Sequence, residues 1–154
     1  MKRTTVSLTV LAAFGALALV ASAAPKNASL LIRHDVRGCH SWSLDGGTFQ
    51  VVQRMQLARG GSLVIQNNDV EPHRLVKTSG PAIVVKLANP GMMGAGMMKP
   101  PFATGMMGRM GATLKVTFPA KGVYKLTTKE GEAYMKGMTI IGEDNVLRAI
   151  VVVS

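Results

Sequence analysis

Two kinds of side chain that bind metal ions are scarce in this 154-residue chain, with one cysteine and three histidines, and a third is plentiful, with eleven methionines. The cysteine, Cys39, stands directly before His40 in Gly38-Cys39-His40-Ser41-Trp42. His73 follows the polar turn Asn67-Asn68-Asp69-Val70-Glu71-Pro72 and precedes an apolar run, which sets an imidazole at the end of a strand. A histidine held there can turn one ring nitrogen toward a metal while its loop fixes the other. His34 shares a face with Leu30 and Ile32 in an alternating run over 30–36. Thiolate and thioether are soft donors and imidazole is borderline, so this set favours copper over zinc or a hard ion.

Each residue also has a simpler role open to it. His73 can hydrogen-bond across its own turn, and His34 can be an ordinary rim histidine. Cys39, as a single thiol, is an intermolecular bridge, a buried inert side chain or a metal ligand. His40 neighbours Cys39, and adjacent residues on an extended chain face opposite ways, so joint ligation needs a loop there. The second imidazole is then either His40 or His34.

The elements that must position these residues read as short strands at 30–36, 49–57, 62–67, 74–77, 82–87, 113–118, 123–128 and 147–153, with a polar loop over 37–47. That spacing predicts an all-β, single antiparallel Greek-key sandwich in place of alternating helices and strands. One stretch stands apart from the sandwich. Seven methionines, Met92, Met93, Met97, Met98, Met106, Met107 and Met110, fall within 89–111 among glycines and prolines. A mobile surface loop outside the core is expected, able to take up a monovalent soft ion or to dock a partner.

The segment Asn67 to Leu75 resembles the first-histidine loop of the cupredoxins, the small copper proteins that include plastocyanin and pseudoazurin. Phe118-Pro119-Ala120-Lys121-Gly122-Val123-Tyr124-Lys125-Leu126 resembles the penultimate strand that leads into that family's cysteine, and Met138, in Lys136-Gly137-Met138, resembles the methionine that closes its ligand loop. Thr127 and Thr128 stand where the cysteine would be, so the usual blue-copper loop is absent. The resemblance implies a cupredoxin-like sandwich in which the loop between the first two strands lies at the copper end. Cys39, His40, His73 and Met138, with His34 as the other candidate imidazole, would then form a rearranged copper site.

Residues 1–23 read as a signal peptide: a charged start at Lys2 and Arg3, an apolar middle too short to be a good membrane span, and Ala21-Ser22-Ala23 before the cut. A single domain over 24–154 is left, exported to a bacterial periplasm, with no stable membrane span once the signal is removed. Removing the signal lowers the formal charge of +10 by two. The remaining basic residues recur singly without interleaved aromatics, which argues against nucleic acid and for a solvated surface able to meet an acidic partner or an anionic membrane. There is no serine-nucleophile motif, phosphate loop or pair of carboxylates at a set spacing, so an enzyme is not expected. Copper storage, delivery or tolerance, with a redox or copper-trafficking protein partner, is the leading expectation. Electron transfer and a metal-free interaction module are the alternatives.

Overall fold

The computed structural model describes residues 23–34, 40–91, 105–130 and 147–154, and these are all-β. The strands are β1 (Asn27–His34), β2 (His40–Leu44), β3 (Phe49–Gln50), β4 (Val52–Leu57), β5 (Ser62–Asn67), β6 (His73–Ser79), β7 (Val84–Pro90), β8 (Met106–Met107), β9 (Ala112–Thr117), β10 (Gly122–Glu130) and β11 (Arg148–Val153). They form two sheets, one in the order β3-β2-β1-β5-β9-β7 and the other β4-β11-β10-β6-β8.

Period-two alternation drives this arrangement. In β4, Gln53, Met55 and Leu57 are buried while Val52, Arg54 and Gln56 face water. The inward residues of the two sheets meet in one core that includes Leu30, Ile32, Trp42, Leu63, Leu114, Phe118, Tyr124 and Val151. Burying a large apolar side chain of this kind stabilises the fold by about 1.5–3 kcal/mol. Phe118 and Tyr124 pack edge to face at 4.9 Å, and the Tyr124 hydroxyl donates to the Ala120 carbonyl at 2.6 Å, closing the corner into β10.

The expected sandwich is present, and two of its contacts are parallel: β1 with β5 and β4 with β11. Parallel neighbours need a crossover connection. Here the chain visits the second sheet as β4 between β1 and β5. The run 49–57 is accordingly two strands in different sheets. The buried Gln53 amide donates to the carbonyls of Trp42 and Thr48 at 2.8 and 3.0 Å, fastening that crossing.

Two expectations need correction. The loop drawn over 37–47 contains β2, because pairing with β1 and burial of Trp42 outweigh the polar, glycine-containing context. In the methionine-rich stretch, Met106–Met107 is a short strand on β6, and Met107 is fully buried in the core, where a flexible thioether side chain fills the space well. Residues 92–104, Cys39, Met138 and residues 1–22 of the expected signal peptide (1–23) lie outside the described residues. No helix among the described residues is long and apolar enough to cross a membrane.

Candidate metal centre

β1 and β2 run antiparallel in the register Leu30↔Leu44, Ile32↔Trp42, His34↔His40. The first two rungs belong to the core, so alternation carries the third, a histidine pair, to the same inward face at the sheet's end. His73 comes from the other sheet, at the start of β6 and on the inward parity of Leu75. All three histidines of the chain therefore arrive at one end of the sandwich, from both sheets.

The turn that joins β5 to β6 fills the gap between them. Asn67, fully buried, accepts from the Asp69 N–H through Oδ1 at 2.9 Å, and its Nδ2 donates to the carbonyls of Glu71 at 2.7 Å and Met107 at 3.2 Å. Asp69 Oδ1 in turn accepts from the Glu71 N–H at 3.1 Å. Asn and Asp side chains that bond their own backbone two residues on are what tighten such turns. The consequence is that the Asp69 carboxylate is folded inward and wholly buried.

Its second oxygen is the hub of the cluster. Asp69 Oδ2 lies 3.0 Å from His40 Nε2, 3.2 Å from His73 Nε2 and 3.8 Å from His34 Nδ1. Glu71 Oε2 lies 2.9 Å from His40 Nε2, so that nitrogen sits between two carboxylates. The rings meet edge to face, with centroids 5.3 Å apart for His34 and His40 and 4.8 Å for His40 and His73. Access is one-sided: the His34 side chain is 44% exposed and Glu71 21%, while Asp69, His40 and His73 form a dry floor.

Burial holds the His73 pKa below its ordinary value; the hydrogen bond to Asp69 works against this, and the neighbouring His40 adds to it. A neutral imidazole is the form that ligates metal. Its Nδ1 is buried with no hydrogen-bond partner among the described residues.

One donor atom each from His34, His40, Asp69 and Glu71 lie within 4.8 Å of one another. Nitrogen and oxygen donors about 2.0–2.2 Å from a shared ion stand roughly 3–3.5 Å apart, so the group fits a small divalent cation after modest contraction. His73 joins this set through Asp69. Of the residues singled out in the sequence, the structure thus brings His34, His40 and His73 together, while Cys39 and Met138 are outside the described residues. Asp69 and Glu71 were missed. Their signal was the two-residue spacing 69, 71, 73, which a reading of 67–72 as a polar connector conceals.

No protein-family model and no curated protein matches the chain. Among solved structures it is similar to a novel purple cupredoxin from Nitrosopumilus maritimus, at 16% identity and TM-score 0.38 over 82% of this chain and 98% of that one. It is similar to a multicopper oxidase from Pediococcus acidilactici at 13% identity and TM-score 0.40; all of this chain is covered, and it spans about a third (31%) of that protein. An inclusion body protein from Burkholderia cenocepacia J2315 is similar at 10% identity and TM-score 0.42, over 88% of this chain and 100% of that one. Likenesses of this size carry no argument about function, which rests on the cluster itself.

Proposed function

We propose that the protein is an exported, non-enzymatic copper-binding protein of cupredoxin-like build that takes one Cu(II) ion at its histidine end, for storage, delivery or tolerance. The observation that carries this reading is the convergence of every histidine in the chain on one buried carboxylate oxygen. His34, His40, Asp69 and Glu71 supply the donor atoms, and His73 holds Asp69 from the core side. Two carboxylates harden the site toward divalent ions, and among these a nitrogen and oxygen set prefers Cu(II) to Zn(II). The exposed His34 and the partly exposed Glu71 give the ion an entry path. Cys39 precedes His40, and a thiolate there would add the soft donor that also retains Cu(I).

A second reading has an observation of its own. Asp69 already hydrogen-bonds His40 and His73, so the cluster can serve as a polar lock in a metal-free interaction module.

Titration of the metal-free protein with Cu(II), Cu(I) and Zn(II), followed by calorimetry and electron paramagnetic resonance, separates these readings. One tight Cu(II) per chain is expected, with nitrogen couplings in its spectrum. His40→Ala should weaken binding by about a hundredfold, and His73→Gln, which loosens Asp69, by about 10- to 100-fold. Absence of binding leaves the metal-free module. Binding unchanged in both variants means that copper sits elsewhere. If Cys39 ligates, Cys39→Ser abolishes a visible thiolate-to-copper band; a reversible potential with rapid exchange to a redox partner would favour electron transfer.

A further inference from the structure

The outer face of the second sheet, opposite the core, carries charge that nothing in the described structure balances. Ile150 on β11 is the register partner of Arg54 on β4 and of Lys125 on β10, so the two cations flank it in one row across three strands. Arg148 lies two residues along β11, in the next row, between Val52 and Thr127. Strand spacing and rise put these three cations within a patch of about 10 by 7 Å. None forms an ion pair among the described residues. The carboxylates described are elsewhere: Asp69 and Glu71 belong to the histidine cluster, and Asp45 accepts from the Ser29 N–H and hydroxyl.

The face is neither flat nor purely polar. The β6–β10 pairing shifts register between Lys125 and Leu126, and Thr78 is left over as a bulge whose hydroxyl donates to the Lys125 carbonyl at 3.1 Å. Bulges bend and twist the strand that carries them. Beside this one lies an open depression of about 390 Å³, lined in part by Thr78, Lys125, Thr127, Arg148 and Ile150. Around it Val52, Val123 and Val152 are 36%, 50% and 36% exposed.

We propose that this face docks an acidic, partly apolar segment of a partner protein. A carboxylate side chain enters the depression between Lys125 and Arg148, and apolar side chains cover the valines. An extended segment suits the surface, because its alternate side chains match the row spacing of the sheet. A bilayer suits it less. Among the described residues the face offers no aromatic side chain to sit among headgroups, its apolar surface being Ile150 and three valines interspersed with cations, and a membrane surface cannot fill a pocket this small. The inference goes beyond metal binding and holds with or without it.

A fluorescent synthetic octapeptide repeating Glu-Ser-Val-Ser, which sets Glu and Val on one face of an extended chain, tests it by anisotropy against the full mature protein, with a Lys-Ser-Val-Ser repeat and phosphatidylglycerol vesicles as comparisons. The acidic peptide alone should bind, with affinity falling at least about tenfold between roughly 50 and 300 mM salt. Arg54→Glu, Lys125→Glu and Arg148→Glu together should reduce binding at least about tenfold while leaving the copper stoichiometry unchanged. Should the triple variant fold poorly, Lys125→Glu alone should still weaken binding. Amide shift changes on the parent protein should centre on β10 and β11. Equal binding by parent and variants, shift changes on another face, or binding to vesicles without binding to the peptide would overturn the proposal.

Discussion

Asn67→Asp replaces one atom group and should be among the most damaging changes available in this protein. In the parent the Asn67 amide makes three hydrogen bonds, one accepted from the Asp69 N–H and two donated to the carbonyls of Glu71 and Met107. A net value of about 1 kcal/mol for each gives roughly 3 kcal/mol for the set, which Asn67→Ala should forfeit. For a domain of this size that is a melting temperature about 10 °C lower. The aspartate should do worse than alanine. It keeps the acceptor for Asp69 but aims a second oxygen at two carbonyl oxygens, and it buries a charge two residues from Asp69. The assay is urea denaturation of the metal-free parent, Asn67→Ala and Asn67→Asp at neutral pH, repeated in mild acid. There the introduced carboxyl group, once protonated, can donate one bond again, so the aspartate variant should recover ground on the alanine. Equal stability of the aspartate variant and the parent, or an aspartate variant more stable than the alanine at neutral pH, would refute the account of how the 67–72 turn is built.

Three further outcomes follow from the geometry. His73 has a folded-state pKa below its ordinary 6.5, so the unfolded chain binds more protons as acid is added. Its contribution to the stability of the metal-free protein is complete above about pH 6.5 and is lost as pH falls through the folded pKa; His73→Gln should flatten that part of the urea-midpoint profile, and an unchanged slope would contradict it. Trp42, the one tryptophan, lies two residues from His40 on the same face of β2, about 7 Å along the strand. Cu(II) bound at the cluster should therefore quench its fluorescence to saturation at one equivalent while Zn(II) does not, and tight Cu(II) binding without quenching would place the ion elsewhere. Gly80, in the turn after β6, has φ +101, and an added Cβ would lie 2.6 Å from the Val123 carbonyl oxygen and 2.9 Å from Tyr124 Cα. Gly80→Ala should cost about 2 kcal/mol or more by denaturation with little change in metal affinity, because the turn lies at the far end of β6 from His73.

What could be read from the chain was whatever depends on near neighbours. The run 62–67 matches β5 residue for residue because its ends are marked by Gly60-Gly61 and by the Asn67-Asn68-Asp69 turn. The place of His34 on the face of Leu30 and Ile32, at its exposed end, followed from counting by twos from Leu30. What could not be read depends on distant partners. His40 takes its strand from His34 and its carboxylate from Glu71, 31 residues away, and no local pattern announces that contact. Met107 looked like part of a solvent loop because its neighbours in sequence are glycine and methionine. Its burial comes from β6, whose His73 begins 34 positions earlier. Asp69 and Glu71 read as part of a polar turn, and only the inward fold set by Asn67 brings their carboxylates to the histidines.

The parallel pairing of β11 with β4 bears on when the protein can form at all. Among the described residues β4 has β11 as its one neighbour in the sheet, and the two are nearly a hundred residues apart in the chain. During synthesis Val52 to Leu57 emerge early and wait, their backbone edge unpaired, until residues 148–153 have been made. Contacts closed over such long loops are slow, on a scale of milliseconds to seconds, and they leave a nascent chain open to proteases in the meantime. A stop codon just before Arg148 would not merely trim an edge; it would also strand a segment translated long before, and the sandwich would lose two strands for the removal of one.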